Sequence, residues 1–416
     1  MVSMRIAVVG GGAAGFFAAI ACGEACSSAE ITVFEATEHP LAKVRVSGGG
    51  RCNVTHACFE PGELVRNYPR GARELLGPFH RFGPREIFAW FAGRGVALKT
   101  EEDGRVFPVT DNSATIVDCL REALRRAGGR LRTRCGVLSL AGRRGAFELR
   151  LATGETATAD CVLIATGGNR GSAGLAMAAA VGHAIVPPVP SLFTFHVDDP
   201  RLKGLEGLSA PRAEVGVRGT GLAASGPILI THWGLSGPAV LRLSAWGARE
   251  MHAAGYRFTL GVNWAAPLAA DRAGEALAAE RSLNPRRRVA AVNPLGLPVR
   301  LWERLCAAAG VPEGAVWAGV SKAVLRALAM QITSGDFPVA GKSMNKEEFV
   351  TCGGVRLDQV DFVTMESRIC PGLHFAGEVL DIDGVTGGFN FQAAWTTGWH
   401  AGRAMAAAGR PHIQAG

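Results

Sequence analysis

The sequence predicts an α/β fold interrupted by an inserted domain, and three observations carry that expectation. Residues 6–35, IAVVGGGAAGFFAAIACGEACSSAEITVFE, read as strand, glycine turn, apolar helix and second strand. The strand-into-glycine pattern returns in CVLIATGG (161–168) and in GLHFAGEVLDIDGVTGGFNFQAAW (372–395). Between these two the character of the chain changes: VPPVPSL (186–192) is followed by strand-like pieces and then by alanine-rich helical segments. The expected division is a first domain over 1–190, an insertion over 191–344 and a return to the first domain over 345–416.

The first unit is the most informative. Gly10, Gly12 and Gly15 form G-x-G-x-x-G between a strand and a helix that starts near Ala13. Each glycine answers a separate demand: a tight turn at Gly10, backbone approach to a pyrophosphate at Gly12, and close helix–strand packing at Gly15. The free N–H groups of Ala13 and Ala14 and the positive end of the helix dipole then face phosphate. Glu35, 20 residues beyond Gly15, ends the second strand, where a carboxylate accepts hydrogen bonds from an adenosine ribose. A lone glycine fingerprint arises easily in an Ala- and Gly-rich chain. Strand, helix and acid in register make dinucleotide binding the expectation.

Further along, AKVRVSGGGRCNVTH (42–56) is expected as a loop that wraps a ligand, since three glycines and a polar run suit neither helix nor strand. FGPREIFAWFAGRG is expected as an amphipathic helix with an aromatic core face. RVFPVTDNSATIVDCLREALRRAGG is expected as a strand, an Asp/Asn/Ser cap and a helix closing at Gly128–Gly129. LRTRCGVLSL and FELRLATG are expected as strands of a small meander. Three prolines in VPPVPSL are expected to mark a crossing between domains. In the insertion LFTFHV, AEVGVRG and GPILITH are expected strands, LAADRAGEALAAERSL an expected helix. The chain closes on a strand, a glycine- and acid-rich loop and a final amphipathic helix.

A chain of 416 residues, 48% hydrophobic and 19% charged, buries a core of two or three domains. The ten cysteines contain no CxxC and no paired metal-type spacing, and several, such as Cys161, sit in apolar stretches, which suits a reducing cytoplasm. No metal site is expected. The 18 uncharged residues from Ile6 to Gly23 mimic a membrane span, but three central glycines weaken such a helix and Glu35 would have no purpose. A soluble protein is expected. HExxH, nucleophile-elbow and P-loop patterns are all missing from the sequence.

The fingerprint alone does not separate NAD from FAD. The C-terminal segment favours the longer cofactor, because Gly387, Gly388 and Asn390 open a second helix whose N–H groups suit a flavin ring oxygen. Here the chain resembles the BaiN/RdsA family of NAD(P)/FAD-dependent oxidoreductases. The resemblance runs through GGGAAG, SGGGRCNVTH (47–56), RVFPVTDNSATIVDCL (105–120), LIATGGN (163–169), THWGLSGPAVLRLS (231–244), TMES (364–367) and GLHFAGEVLDIDGVTGGFNFQAAWTTGWHAG (372–402). It implies a Rossmann-like two-dinucleotide-binding FAD domain with an inserted, mixed β-barrel/helical domain, and a noncovalent FAD.

The cofactor contacts so implied are Gly10, Gly12, Ala13, Ala14, Gly15 and Glu35, then Lys43, Ser47, Gly48, Arg51, Cys52 and Asn53. Val137, Thr166 and Gly167 follow, then Gly377, Glu378, Gly387, Gly388, Phe389 and Asn390. Two departures stand out. Ala42-Lys43-Val44 replaces a more basic family pattern, leaving one cation, and the loop GNRGSAGLAM after the 161–168 strand is shorter than is usual.

For catalysis the candidates are Cys52, a proton donor whose thiol Arg51 would help to ionise, and His232, a substrate or flavin contact. Each also has a plainer reading, as a packing residue and as a loop histidine. His374 is expected in the core. Some members of the resembled family make dihydrouridine in ribosomal RNA; others act on small molecules. Ribosomal RNA is therefore one candidate partner, an amine or enone the other, and a flavin-holding protein without turnover is the third reading. NAD(P)H, if used, would visit the flavin transiently. The net charge of +8, with nine Arg against two Glu over 121–150 and six Arg against one Glu over 281–304, suits a polyanion. An Arg-rich solvated surface explains the same counts. Neither DNA nor a membrane is an expected partner.

Overall fold

A computed structural model describes residues 3–168, 171–343 and 350–408. The chain divides into two compact units: Met1–Pro190 together with Lys346–Gly416, and Ser191–Asn345. The boundary expected between 344 and 345, and Asn169 of the shortened loop, lie outside the described residues.

The first unit is built on five parallel strands, β1 (Arg5–Val9), β2 (Glu30–Phe34), β3 (Arg130–Arg132), β4 (Cys161–Ile164) and β5 (Leu373–Phe375). They stand in the order β5-β4-β1-β2-β3, with two short antiparallel pieces, Val360–Asp361 and Glu366–Ser367, beyond β5. The central strands read as unbroken apolar runs because both faces are covered: every residue of β4 is buried. Cys161 is among them, as expected of a core residue.

Cover on one side comes from helix α1 (Ala13–Ala25) and helix α2 (Phe389–Ala408), which cross closely. A methyl group at Gly398 would stand 2.6 Å from the Ala14 carbonyl oxygen, and one at Gly402 would overlap the Ala18 carbonyl. The first and last helices of the chain thus meet backbone to backbone. That contact buries α2 through Gln392, Trp395, Thr396, Thr397 and His400, so a helix expected to be amphipathic is buried nearly all round.

Two local expectations are corrected, and a third, the crossing at VPPVPSL, gains a strand. Arg130–Arg132 leaves the meander and joins the parallel sheet beside β2, while Val137–Ala141, Phe147–Leu151 and Thr156–Ala159 form a three-stranded antiparallel sheet. The VPPVPSL punctuation is mostly strand: Ile185–Pro190 pairs antiparallel with Thr351–Val355, with a register shift between Val186 and Val189. A two-stranded ribbon tolerates proline because each strand has an unpaired edge. The stretch from Ala42 opens as helix and breaks at Ser47 (φ −61°, ψ 147°), where the glycines begin. The helix at Pro84–Ala92, the strand at Arg105–Pro108 and the Asn112-capped helix Ser113–Arg126 stand where the sequence places them.

The second unit holds a seven-stranded sheet in the order Gly335–Val339, Phe258–Asn263, Ser209–Val217, Ala223–Thr231, Gly234–Ser236, Thr194–His196, Gly341–Ser343. Its two edge strands are separated in the chain by Ala340 alone, so the sheet curls until its edges nearly meet, a barrel-like form. Helices Pro238–Trp246, Ala270–Leu283, Val299–Ala308 and Lys322–Ser334 complete the unit. Phe195, Val215, Ile228, Leu243, Trp302 and Leu328 lie in its core.

Candidate cofactor site

Ligands of open parallel sheets bind beyond the carboxyl ends of the strands, and here three glycine turns leave those ends side by side. At the end of β1, Gly10 takes φ +113°, and a side chain there would overlap the Ala165 carbonyl at the end of β4. A methyl at Gly15 would overlap the Gly10 carbonyl, so the helix–strand contact demands glycine. Gly12 is different: nothing lies within 4 Å of the position a Cβ would take, and its φ of −89° is ordinary. Open space at Gly12 is what a pyrophosphate needs. The first α1 hydrogen bond runs from Phe16 N–H to Gly12 O at 3.0 Å, which leaves the N–H groups of Ala13, Ala14 and Gly15 aimed out of the helix end.

Glu35 is already oriented. Its Oε2 accepts from Gly11 N–H at 2.9 Å, and its Oε1 accepts from Thr37 N–H at 2.8 Å and Thr37 Oγ at 2.7 Å. The oxygen with spare capacity is Oε2, which narrows the two-bond ribose contact expected of this carboxylate. Cys135 N–H donates to Glu35 O, and Val137, two residues on, is buried. Val137 thereby lies one short turn from Glu35.

The segment leading into the glycine loop is anchored at two points. Leu41 N–H donates to Gly11 O at 2.8 Å, and Lys43 Nζ donates to Glu378 Oε2 at 2.5 Å. Gly48, Gly49 and Gly50 then run at φ +60°, +69° and +84°, a left-handed sequence that side chains oppose. Gly49 and Gly50 have open space where a side chain would go, while Gly48 sits against Phe107. Cys52 N–H closes the turn on Ser47 O at 2.9 Å.

The third turn follows β5. Gly377 takes φ +74°, its N–H donates to Thr397 Oγ at 3.0 Å, and Glu378 follows. Glu378 Oε1 is buried and has no hydrogen-bond partner among the described residues. Beside it, Gly167 (φ +80°) faces Glu378, and Gly168 O accepts from Thr351 Oγ at 2.7 Å. Thr166 turns its hydroxyl to Ser172, at 2.8 Å. At the α2 end, Gly387 and Gly388 take φ +121° and +96° ahead of Phe389. With its amide set to satisfy its neighbours, Asn53 accepts from Gly388 N–H at 3.0 Å and donates to Thr55 O at 3.0 Å. The Asn390 side chain clasps Gly384, accepting from its N–H at 2.8 Å and donating to its carbonyl at 2.9 Å. Its backbone N–H remains at the open end of the helix.

Two groups expected to act are spoken for. Arg51 turns to Glu101 (2.6 Å) and lies 3.9 Å from the Phe107 ring centre, so it does not activate Cys52. Burial pushes the Cys52 thiol up to about 12, keeping it protonated at neutral pH. Two acids of the glycine- and acid-rich loop are engaged within the protein. Asp381 accepts from Gly353 N–H at 2.8 Å and Asp383 pairs with Arg70. His232 sits exposed in a turn of the second unit, and His374 is buried in β5. Sequence reasoning missed Thr351, Thr397, Tyr68 and Arg70. Each acts through a distant backbone or carboxylate partner, and no local pattern marks them.

Taken together, the first unit supplies two helix N-termini, open space at Gly12, a carboxylate at the end of β2 and a buried carboxylate oxygen with no hydrogen-bond partner among the described residues. These fit FAD. Among the described residues no cluster of His, Cys, Asp or Glu suits a metal ion, and no helix is long and apolar enough to cross a membrane. The protein is an FAD-dependent oxidoreductase of the α/β dinucleotide-binding class.

It belongs to the HI0933-like family, whose Rossmann-domain model matches residues 4–404. The chain is 30% identical to the 3-dehydro-bile acid delta(4,6)-reductase of Clostridium scindens, over 97% of this chain and 99% of that protein. It is 29% identical to the ribosomal RNA dihydrouridine synthase of Escherichia coli, over 96% and 98% respectively. Among solved structures, the 3-ketosteroid-delta4-(5alpha)-dehydrogenase of Rhodococcus jostii shares the fold, with a TM-score of 0.53, 16% identity and 98% of each chain covered.

Proposed function

We propose that this chain is a cytoplasmic reductase that adds hydrogen across a carbon–carbon double bond conjugated to a carbonyl. Its leading substrate is a uridine of ribosomal RNA. The observation that carries the reading is the chemistry common to two relatives that match end to end. A 3-dehydro-delta(4,6) ring and a uracil both present an alkene polarised by a neighbouring carbonyl. Such an alkene takes a hydride at the far carbon and a proton at the near one.

When bound, FAD supplies the hydride. In this reading the N–H groups of Ala13 and Ala14 hold the pyrophosphate beside Gly12, and Glu35 orients the adenosine ribose. The segment around Val137 lines the adenine, and Glu378 Oε1 accepts from a cofactor hydroxyl. The turns at Ser47–Asn53 and Thr166–Gly167 close round the cofactor. The N–H groups of Phe389 and Asn390 at the start of α2 stabilise negative charge on the reduced ring. NAD(P)H is the proposed electron donor and visits the same site.

The RNA reading is favoured over the small-molecule reading by charge. The inserted unit carries seventeen Lys and Arg against eleven Asp and Glu. The test is a dihydrouridine map of ribosomal RNA from a strain lacking the gene, with and without the purified holoenzyme and NADPH added back. Loss of one modified uridine on deletion, restored by the enzyme, is the expected result. An unchanged map together with turnover of a steroid enone would assign the small-molecule reading.

A further inference from the structure

The proposed function leaves unused an exposed aromatic on the inserted unit. Trp233 is 66% exposed, the second most exposed large apolar side chain among the described residues. It is not a frayed loop residue. It occupies the two-residue turn joining strands Ala223–Thr231 and Gly234–Ser236, and its backbone is fixed on both sides. Trp233 N–H donates to Thr231 Oγ at 3.3 Å, and Val197 N–H donates to Trp233 O at 3.0 Å. Gly234 follows at φ +138°, where a side chain would overlap Phe195 and Val197 backbone. The ring itself is backed by the His196 imidazole, stacked at 5.9 Å between centres and 22° between planes. The His196 ring thus backs the indole, and about two-thirds of Trp233 stays open to solvent.

The surroundings are cationic. His232 precedes Trp233 in the same turn, and backbone N–H groups, with Arg300 nearby, hold the Glu206 carboxyl below its usual range. Arg300 donates to Gly204 O, and the Arg304 guanidinium reaches within 3.6 Å of the position a Gly204 side chain would take. Gly207 N–H donates to Ile230 O at 2.9 Å, which sets this loop against the strand that leads into the Trp233 turn. In the core beneath, Trp302 Nε1 donates to Val289 O at 2.9 Å, tying the Arg300–Arg304 helix to the chain just after Arg286, Arg287 and Arg288. Those three arginines are exposed and form no ion pair among the described residues. The acids near these groups are Asp198, which pairs with Lys203, Glu206, Glu303 and Glu313, against Arg286, Arg287, Arg288, Arg300 and Arg304.

We propose that this face of the inserted unit is the seat for single-stranded RNA, with a base stacked on Trp233 and phosphates against Arg300, Arg304 and the Arg286–Arg288 run. This rests on the RNA reading and deepens it by naming the surface that holds the strand. An exposed indole on a rigid turn accepts any base, and arginines spaced along a surface follow a phosphate backbone. Partial neutralisation of phosphates by such a row gives binding that weakens steeply with salt. An apolar ligand uses the indole but has no need of the arginines, which is why the polyanion is the better match.

The experiment is anisotropy of a labelled twelve-nucleotide oligouridylate with the full-length, FAD-loaded protein, titrated at several salt concentrations. Trp233→Ala is expected to weaken binding by roughly tenfold, the scale of one stacked base, and Trp233→Phe to recover most of it. Arg300→Ala/Arg304→Ala is expected to flatten the slope of log affinity against log salt by roughly 1.4, at about 0.7 for each lost phosphate contact. Thermal melting of each variant checks folding, and Trp233, being largely exposed, tolerates replacement. If the parent protein modifies ribosomal RNA and the variants bind and modify it equally well, this surface is wrong while the RNA reading stands. If the parent protein neither binds the oligomer nor modifies RNA, both fall. A Trp233→Ala variant impaired only in its KM for a steroid enone would also overturn the proposal.

Discussion

Lys43 Nζ donates to Glu378 Oε2 at 2.5 Å across 335 positions of sequence, while Glu378 Oε1 is buried without a hydrogen-bond partner among the described residues. One oxygen thus holds the glycine loop to the turn after β5, and the other is desolvated with nothing to accept from. A buried unpaired carboxylate oxygen is unfavourable unless a ligand completes it. Glu378→Ala is expected to weaken FAD binding by roughly 10- to 100-fold, the range of about 1.5–3 kcal/mol for a hydrogen bond to a charged group. Flavin fluorescence released on dilution measures it. Unaltered affinity in Glu378→Ala would remove this residue from the cofactor site.

Gly12 and Gly15 belong to one fingerprint but do different things. Gly12 has open space where a Cβ would stand, whereas a Cβ at Gly15 overlaps the Gly10 carbonyl. Gly12→Ala is therefore expected to change the stability of the cofactor-free protein by under about 1 kcal/mol, as an N-cap glycine-to-alanine change does, while strongly lowering FAD retention. Gly15→Ala is expected to lower the melting temperature with or without FAD. Equal loss of stability in the two variants would contradict the division of roles.

That division was legible in the sequence because the demands on these glycines are local: a turn, a helix start and a strand lie within ten residues. The β1–α1–β2 unit, the apolar β4 and the glycine turn before α2 share this property. What escaped was set by distant partners. Arg51 sits beside Cys52 in the chain, yet Glu101 and Phe107 decide where its guanidinium goes. Asp381 and Asp383 stand in a glycine- and acid-rich loop, and their partners Gly353 and Arg70 come from far-off segments. Proline-rich VPPVPSL reads as punctuation because the strand that pairs with most of it, Thr351–Val355, lies more than 150 residues later. Glu378, by contrast, was visible from its place after a strand-ending glycine.

Stability should fall on the acid side for a reason located in β5. His374 is buried, its Nδ1 sits 3.2 Å from the Thr364 carbonyl, and burial pushes its imidazole down from 6.5 to about 4. Between those values the unfolded chain binds a proton that the native state refuses, so stability rises with pH there. His374 contributes its full stability above about pH 6.5 and loses it as pH falls towards 4, a loss on the order of 3 kcal/mol at 1.36 kcal/mol per unit. Burial pushes His183 and His400 down as well, in the same direction. Urea midpoints at pH 7.5 and 4.5 should therefore differ more for the parent protein than for His374→Asn. Parallel pH dependence in the two would count against a neutral buried imidazole.

Arg70 and Asp383 form an ion pair in which the Asp383 side chain is 0% and the Arg70 side chain 12% exposed. Arg70 Nε donates to Asp383 Oδ1 at 2.5 Å, and a backbone bridge joins the same two residues. Tyr68 OH donates to Phe389 O at 2.6 Å, and Val385 N–H to Asn67 O at 2.9 Å, so residues 67–70 grip the whole segment that leads into α2. Such a pair adds little net stability, because desolvating two charges offsets much of their attraction, but breaking one side strands the other. Arg70→Ala is expected to destabilise by about 3–5 kcal/mol, whereas Arg70→Met/Asp383→Leu should lie within about 1 kcal/mol of the parent. The two variants should separate again in FAD binding: the double variant keeps its fold but loses the polar grip that fixes the N-terminus of α2, so its flavin affinity falls. Denaturant midpoints and flavin titration read the two effects independently. A double variant with parental FAD affinity would show that the pair serves the fold alone.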